Sequence, residues 1–208
     1  NYIDLINFSH YSVSGGLLTV DEIIDNAKKN NQAYASLTDL NTLAGIPEFY
    51  EKCVKNNIKP IIGTTLSVTD NNEYIGDVTL IAKNQKGFDN IKRLVSKLGE
   101  FKNSKFRSID LKEILDNSSD ILFLEGAKNS IAYNITNQEQ YNEIFSRINN
   151  SFGLSLIGTI QPNNNKKVGV DAAQRLMGAI NNSAMKNESN GKVRKNRVIF
   201  SNNNRFQD

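Results

Sequence analysis

Histidine and cysteine each occur once in the 208 residues, and tryptophan does not occur at all. The single cysteine, Cys53, excludes an internal disulfide and suits a reducing compartment. It falls in the apolar repeat of a helical stretch, which marks it as a buried structural thiol rather than a nucleophile. One histidine, His10, cannot furnish a His-rich metal cluster, and it argues against a Ser–His–Asp triad. No G-x-S-x-G elbow is present either. Gly15-Gly16 is not followed by a Lys-Ser/Thr pair and there is no G-x-G-x-x-G, so neither common phosphate-cradling loop is available. No apolar run approaches membrane-spanning length. The start, NYIDLINFSH, lacks the basic-then-apolar pattern of a leader. A soluble, cytoplasmic protein with no membrane partner is expected. The formal net charge of +3 is too slight to imply nucleic acid by itself. Plentiful Asn, Lys and Ile without Trp suit an A/T-rich genome more than any particular function.

Residues 33–68 carry most of the information. An apolar run at 33–37 ends at Thr38-Asp39, as a strand handing over to a loop. Ile46, Phe49, Tyr50, Cys53 and Val54 recur at helical spacing and predict one apolar helix face. Asn56-Asn57 stop that helix. Ile58-Lys59-Pro60-Ile61-Ile62-Gly63 opens the next strand, with Pro60 suited only to its start. Upstream, residues 2–8 read as a first strand, with Ile6 and Phe8 on one face and Leu5 on the other. Thr19-Val20-Asp21-Glu22 has capping-box spacing and opens a helix to about Asn30. Downstream, the strand continues to Thr69, turns at Asp70-Asn71-Asn72 and returns over 74–82. Helices are predicted at 86–98, 110–115, 138–148 and 170–180, and strands at 120–124 and 154–160. After Asn181 the text turns polar and reads as a loop or mobile segment over 183–208, with a short apolar RVIFS near its end. Alternating strands and helices argue a mainly parallel sheet covered by helices, in a single domain spanning 1–208.

The stretch LTDLNTLAGIPEFYEKCVKNNIKPIIG, residues 37–63, resembles the pattern ITDxxxLxGxxEFYxxAxxxxIKPIIG. That pattern belongs to the N-terminal PHP (polymerase and histidinol phosphatase) domain of bacterial DNA polymerase III alpha subunits. The resemblance is strongest over 7–82. It implies an α/β fold, a distorted seven-stranded (β/α)7 barrel. Its site would lie at the C-terminal ends of the strands, where Phe8, Asp39 and Thr65 are expected.

The family also implies a metal cluster, held by His, Asp and Glu, that hydrolyses phosphate esters. Its ligand positions are altered here. The His-x-His motif is Ile6-Asn7-Phe8. The carboxylate before the loop glycine is Gly15, the Thr-Asp-His motif ends in Leu40, and the Gly-Cys-Glu motif ends in Thr65. The region of the usual Asp-x-His reads Thr159-Ile160-Gln161-Pro162. Asp39 is retained, as a remnant ligand or as a loop residue that caps backbone N–H groups. His10 stands where the family has Asp and reads as a structural residue. Ile6, Phe8 and Leu40 are expected to meet as a dry plug in place of the metals. The basic clusters at 102–107 and at Lys192, Arg194, Lys195 and Arg197 could touch a nucleic-acid backbone, or simply face solvent.

The resemblance therefore implies a PHP domain with a degenerate metal site, excised from a longer DNA-directed DNA polymerase. The domain itself needs no catalytic residue, metal or cofactor. The full protein would carry Mg2+ in a palm domain outside this chain and would meet primer–template DNA there. Partners would be the remaining polymerase domains and other replisome subunits. The alternatives are a metal-dependent PHP phosphoesterase or 3'-5' proofreading exonuclease, or a noncatalytic interaction module of an unrelated protein.

Overall fold

A computed structural model describes residues 3–12, 16–100, 107–160, 166–189 and 197–200. The helices are α1 (Val20–Lys29), α2 (Ile46–Lys55), α3 (Gln85–Ser96), α4 (Leu111–Asp116), α5 (Ile131–Asn134), α6 (Gln138–Phe152) and α7 (Lys166–Ser189). The strands are β1 (Tyr34–Leu37), β2 (Lys59–Asp70), β3 (Glu73–Ala82), β4 (Gly99–Glu100), β5 (Arg107–Asp110), β6 (Ile121–Glu125), β7 (Leu156–Ile160) and β8 (Arg197–Phe200). They form a sheet in the order β4-β5-β2-β3-β6-β7-β8, with β1 added beside β2. The sheet curls into a half-barrel.

β2 is the spine. One edge pairs antiparallel with β3 from Gly63 to Asp70. The other edge is shared, first by β1 at Lys59–Ile62 and then by β5 at Val68-Thr69, both parallel. β6 pairs antiparallel with β3, and β7 and β8 follow in parallel. The sheet is thus mixed rather than mainly parallel. The reason is the Asp70-Asn71-Asn72-Glu73 turn: Asn71 and Asn72 have φ of 52° and 63°, the left-handed pair that makes a tight hairpin and reverses the chain. A bidentate pair from Arg147 to Asp70, at 2.6 and 3.0 Å, fixes this hairpin to α6.

Alternation sorts the side chains. Leu66 and Val68 of β2, Val78 and Leu80 of β3 and Phe123 of β6 face the main core, with Ile91, Leu94, Tyr141, Phe145 and Leu176 from the helices. A second core surrounds β1, where Leu37 meets Ile23 and Ile24 of α1 and Phe49 and Cys53 of α2. The other face of the sheet presents Ile81 and Leu124, which pack with Ile6.

Local signals explain the helix ends. Thr19 accepts the Glu22 N–H and Glu22 reaches back to the Thr19 N–H, a complete capping box. Asn84, Asp110 and Asn137 cap α3, α4 and α6 through their side chains.

Four expectations are corrected. Residues 3–8 form no strand. Their polar groups meet the β1 side mainly through side chains, with Ser36 Oγ donating to the Asp4 carbonyl at 2.7 Å and Thr38 Oγ1 accepting the Asn7 N–H at 3.1 Å; the Thr38 N–H also donates to the Asn7 carbonyl at 2.8 Å, without a ladder following. Leu5 shares one cluster with Ile6 and Phe8 rather than pointing away. Tyr50 and Val54 are 53% and 56% exposed, because α2 buries the narrower stripe Ile46, Phe49 and Cys53. Finally, α7 spans Lys166–Ser189 rather than 170–180, and 197–200 is a strand; residues 190–196 and 201–208 lie outside the described residues.

Candidate functional site

Asp39 follows β1 and is 2% exposed. Its Oδ1 accepts the Ser9 N–H at 2.5 Å and the Ser12 hydroxyl at 2.8 Å, and its Oδ2 accepts the Ser9 hydroxyl at 2.8 Å. The two serines accept in turn: Ser9 Oγ from the Tyr11 N–H at 3.3 Å and Ser12 Oγ from the Leu40 N–H at 3.0 Å. The Asp39 carbonyl takes the Thr64 hydroxyl at 2.8 Å and the Thr65 N–H at 3.1 Å. Asp39 therefore does cap backbone, but across 30 residues of sequence rather than locally. On its other side a Cβ placed on Gly45 would lie 2.9 Å from Asp39 Oδ2 and 2.9 Å from the Tyr11 ring. The space beside the carboxylate is too small for one methyl group.

The positions where the resemblance puts ligands hold poor donors. Ile6 is 2% exposed and packs with Ile81 and Leu124. Phe8 packs against the same cluster, half-buried, as do Ile61 and Leu122. Leu40 does not join them, contrary to the expected trio. It is half-buried and its backbone bridges to Thr65. Thr65 sits in the middle of β2, not at its end, and its hydroxyl shares a 2.9 Å hydrogen bond with that of Thr79. His10 is exposed, with its ring against Tyr11 at 4.3 Å between centroids and its backbone N–H donated to the Leu18 carbonyl at 2.8 Å. Thr159 donates its hydroxyl to the Glu125 carbonyl at 3.0 Å. Gly15, Gln161 and Pro162 lie outside the described residues. Among the described residues no group of three or more His, Cys, Asp or Glu comes together to hold a metal ion. Apolar side chains, shared hydroxyls and one saturated carboxylate do not fit a divalent metal cluster.

Lys192, Arg194 and Lys195 fall outside the described residues. Arg197 opens β8, its backbone paired with Ile157. From the other basic cluster, Arg107 is engaged in structure: its Nη2 donates to the Leu98 carbonyl at 3.2 Å and its own carbonyl accepts from Asn41 at 3.1 Å.

Beside the site runs a charged chain that the sequence did not reveal. The Tyr11 hydroxyl donates to Glu48 at 2.8 Å, Lys52 bonds Glu48 at 2.6 Å, and Lys52 also meets Asp21 at 2.8 Å. The Lys52 and Tyr11 hydrogen bonds hold the Glu48 carboxyl below its usual range. A second missed acid, Glu125, closes β6 and is fully buried. Burial pushes its carboxyl up to about 7, against the pull of the Ala132 N–H and the Ser130 and Tyr141 hydroxyls. The signal was an acid ending the apolar run Ile121-Leu122-Phe123-Leu124 directly before Gly126.

The family model described as "PHP domain" matches residues 4–157, and the chain belongs to that family. Its curated relatives are DNA polymerase III alpha subunits. The one from Ureaplasma parvum is 40% identical over 89 residues, which is 42% of this chain and 8% of that protein. One from Staphylococcus aureus is 31% identical over 114 residues, 55% of this chain and 10% of that protein. The matched stretches are thus a small part of much longer relatives. Among solved structures, an amidohydrolase from Chromobacterium violaceum has a TM-score of 0.57 at 10% identity, covering 98% of this chain and 89% of its own. A proposed metal-dependent phosphoesterase from Bifidobacterium adolescentis has a TM-score of 0.53 at 12% identity, covering 85% and 83%. These two likenesses concern the fold alone.

Proposed function

We propose that this chain is the PHP domain of a bacterial DNA polymerase III alpha subunit and that the domain is noncatalytic. The polymerase would extend primers by nucleotidyl transfer in the cytoplasm, using Mg2+ and carboxylates of a palm domain outside these residues. The PHP domain would stabilise that polymerase and offer a surface to the other polymerase domains or to replisome subunits. The relatives support the polymerase context. The observation that carries the noncatalytic reading is Asp39: the acid retained from the family's ligand set spends its carboxylate on Ser9 and Ser12. A phosphoesterase or proofreading exonuclease would need a free carboxylate there and imidazoles at Ile6, Phe8 and Leu40. No helix among the described residues is long and apolar enough to cross a membrane.

The test is to express the gene's full product with and without residues 1–208. Primer extension by the whole product, none by the 208-residue chain, and a lower melting temperature or yield after the deletion would support the proposal. A deletion variant of unchanged stability and activity would remove the structural role. Template-directed synthesis by the 208 residues alone would overturn the domain assignment.

A further inference from the structure

The α2 helix turns toward solvent two apolar side chains that its own core does not use. It buries Ile46, Phe49 and Cys53, while Tyr50 and Val54, one turn apart on the neighbouring stripe, stay 53% and 56% exposed. A lone exposed apolar residue is ordinary. Tyr50, however, lines a cavity of about 490 Å3 between α2 and α3, a volume in the range of sites that hold a ligand. Pro47 and Tyr50 of α2, Ile62 of β2, and Gln85, Phe88 and Lys92 of α3 carry its chemistry.

The groove follows from how the two helices are used. Phe49 and Cys53 of α2 pack with Leu37 and α1 in the core around β1. Ile91 and Leu94 of α3 pack in the main core. The seam between the cores is left to half-buried side chains, Leu43 against both and Ile62 and Phe88 against the β1 core. The lining is apolar except for Gln85, the Tyr50 hydroxyl and Lys92, and Lys92 is the one charge in it. Its ammonium stands 5.3 Å from the centroid of the Phe88 ring. Asp89 holds it there at 2.7 Å, through the same oxygen that accepts Gln85 Nε2 at 3.2 Å. One of three ammonium donors is thus spent, and the side chain remains 52% exposed.

We propose that this groove docks a protein segment presenting a large apolar side chain next to an acidic one. The apolar side chain fills the space between Tyr50, Ile62 and Phe88, and the carboxylate pairs with Lys92. A nucleic-acid strand fits less well, because it needs a run of cations along its backbone and the lining offers one. The inference rests on the reading of this domain as a noncatalytic unit that presents a surface to partners. Its test reads binding at the groove and not polymerase activity, so either can fail without the other.

The experiment is a nitrogen-15 NMR titration of the 208-residue chain with the blocked peptide acetyl-Gly-Phe-Asp-Gly amide. The peptide is taken to about 10 mM, because so small a contact binds weakly. Amide shifts should move and saturate at Tyr50, Ile62 and Phe88 and stay still around Asp39. The same peptide with Lys for Asp should bind at least about threefold more weakly, and with Ser for Phe it should not saturate. K92E, at a half-exposed position, should reverse the order of the Asp and Lys peptides. Y50A, also half-exposed, should weaken both. Equal binding of the Asp and Lys peptides overturns the proposal, as does an order that K92E leaves unchanged. Shifts centred elsewhere, or none that saturate, overturn it too. An oligothymidylate that moves the same amides at lower concentration than the peptide would make the groove a nucleic-acid track and end the proposal.

Discussion

Replacing Asp39 distinguishes a structural anchor from a remnant metal ligand by the sign of the stability change. As an anchor, its carboxylate receives one fixed donor, the Ser9 N–H, and two rotatable ones, the Ser9 and Ser12 hydroxyls. Asp39→Ala leaves the N–H buried without an acceptor, which costs roughly 2 kcal/mol, and weakens two hydroxyl bonds at roughly 1 kcal/mol each. Relief of the carboxylate's own desolvation returns a part, so a net loss of about 3 kcal/mol is expected. Asp39→Asn keeps the shape but replaces charge-assisted bonds by neutral ones, and should lose about 1 kcal/mol. A carboxylate held ready for a metal behaves oppositely. In the metal-free chain it would be an uncompensated charge, and Asn would leave stability unchanged or raise it. Urea denaturation followed by circular dichroism, with chelator present, measures the difference. An Asp39→Asn variant as stable as the parent would refute the anchor.

Further outcomes follow from the same packing. Ile6→Ala should cost about 3 kcal/mol by cavity formation, and Phe8→Ala, only half-buried, about 2 kcal/mol or less, as read by equilibrium unfolding; the reverse order would mean that Phe8 is the true centre of the cluster. Gly45→Ala should lose roughly 1 to 2 kcal/mol, because its methyl would meet Asp39 Oδ2 and the Tyr11 ring; a neutral result would show slack beside the carboxylate. Glu125 binds its proton more tightly folded than unfolded, so its contribution is complete below about 4.5 and is lost as pH rises to about 7. Stability should fall through that window by on the order of 3 kcal/mol, and E125Q should flatten this part of the profile.

The central β1–α2–β2 unit was legible because its signals agree: an apolar run ending in Thr38-Asp39, a helical repeat stopped by Asn56, and Pro60 at a strand start. The two-residue Asn71-Asn72 hairpin was equally plain. What failed was orientation and neighbourhood. Nothing in the spacing of Tyr50 and Val54 says that α2 buries only the Phe49–Cys53 side. Residues 3–8 alternate like a strand, yet beside one backbone bond from Thr38 to Asn7 they meet the side chains of Ser36 and Thr38, and no ladder forms. The end of α7 was misjudged because apolar periodicity fades after Ile180. Alanine, Met, Lys and Glu still favour helix there, and the first glycine comes only at Gly191. At the site, the replaced ligand positions could be named from resemblance, but not the fate of Asp39. Its donors lie 30 and 27 residues away, and only the fold brings Ser9 and Ser12 to it. Glu125 was missed because one acid at a strand end looks like the exit to solvent.

That this PHP domain holds no catalytic metal cluster is a proposal, and metal stoichiometry tests it most directly. The purified chain should be dialysed against zinc and manganese, then analysed for bound metal and assayed for phosphodiesterase turnover. The account predicts no stoichiometric metal and no chelator-sensitive turnover. Two or more metal ions per chain, with hydrolysis that chelation abolishes, would contradict it.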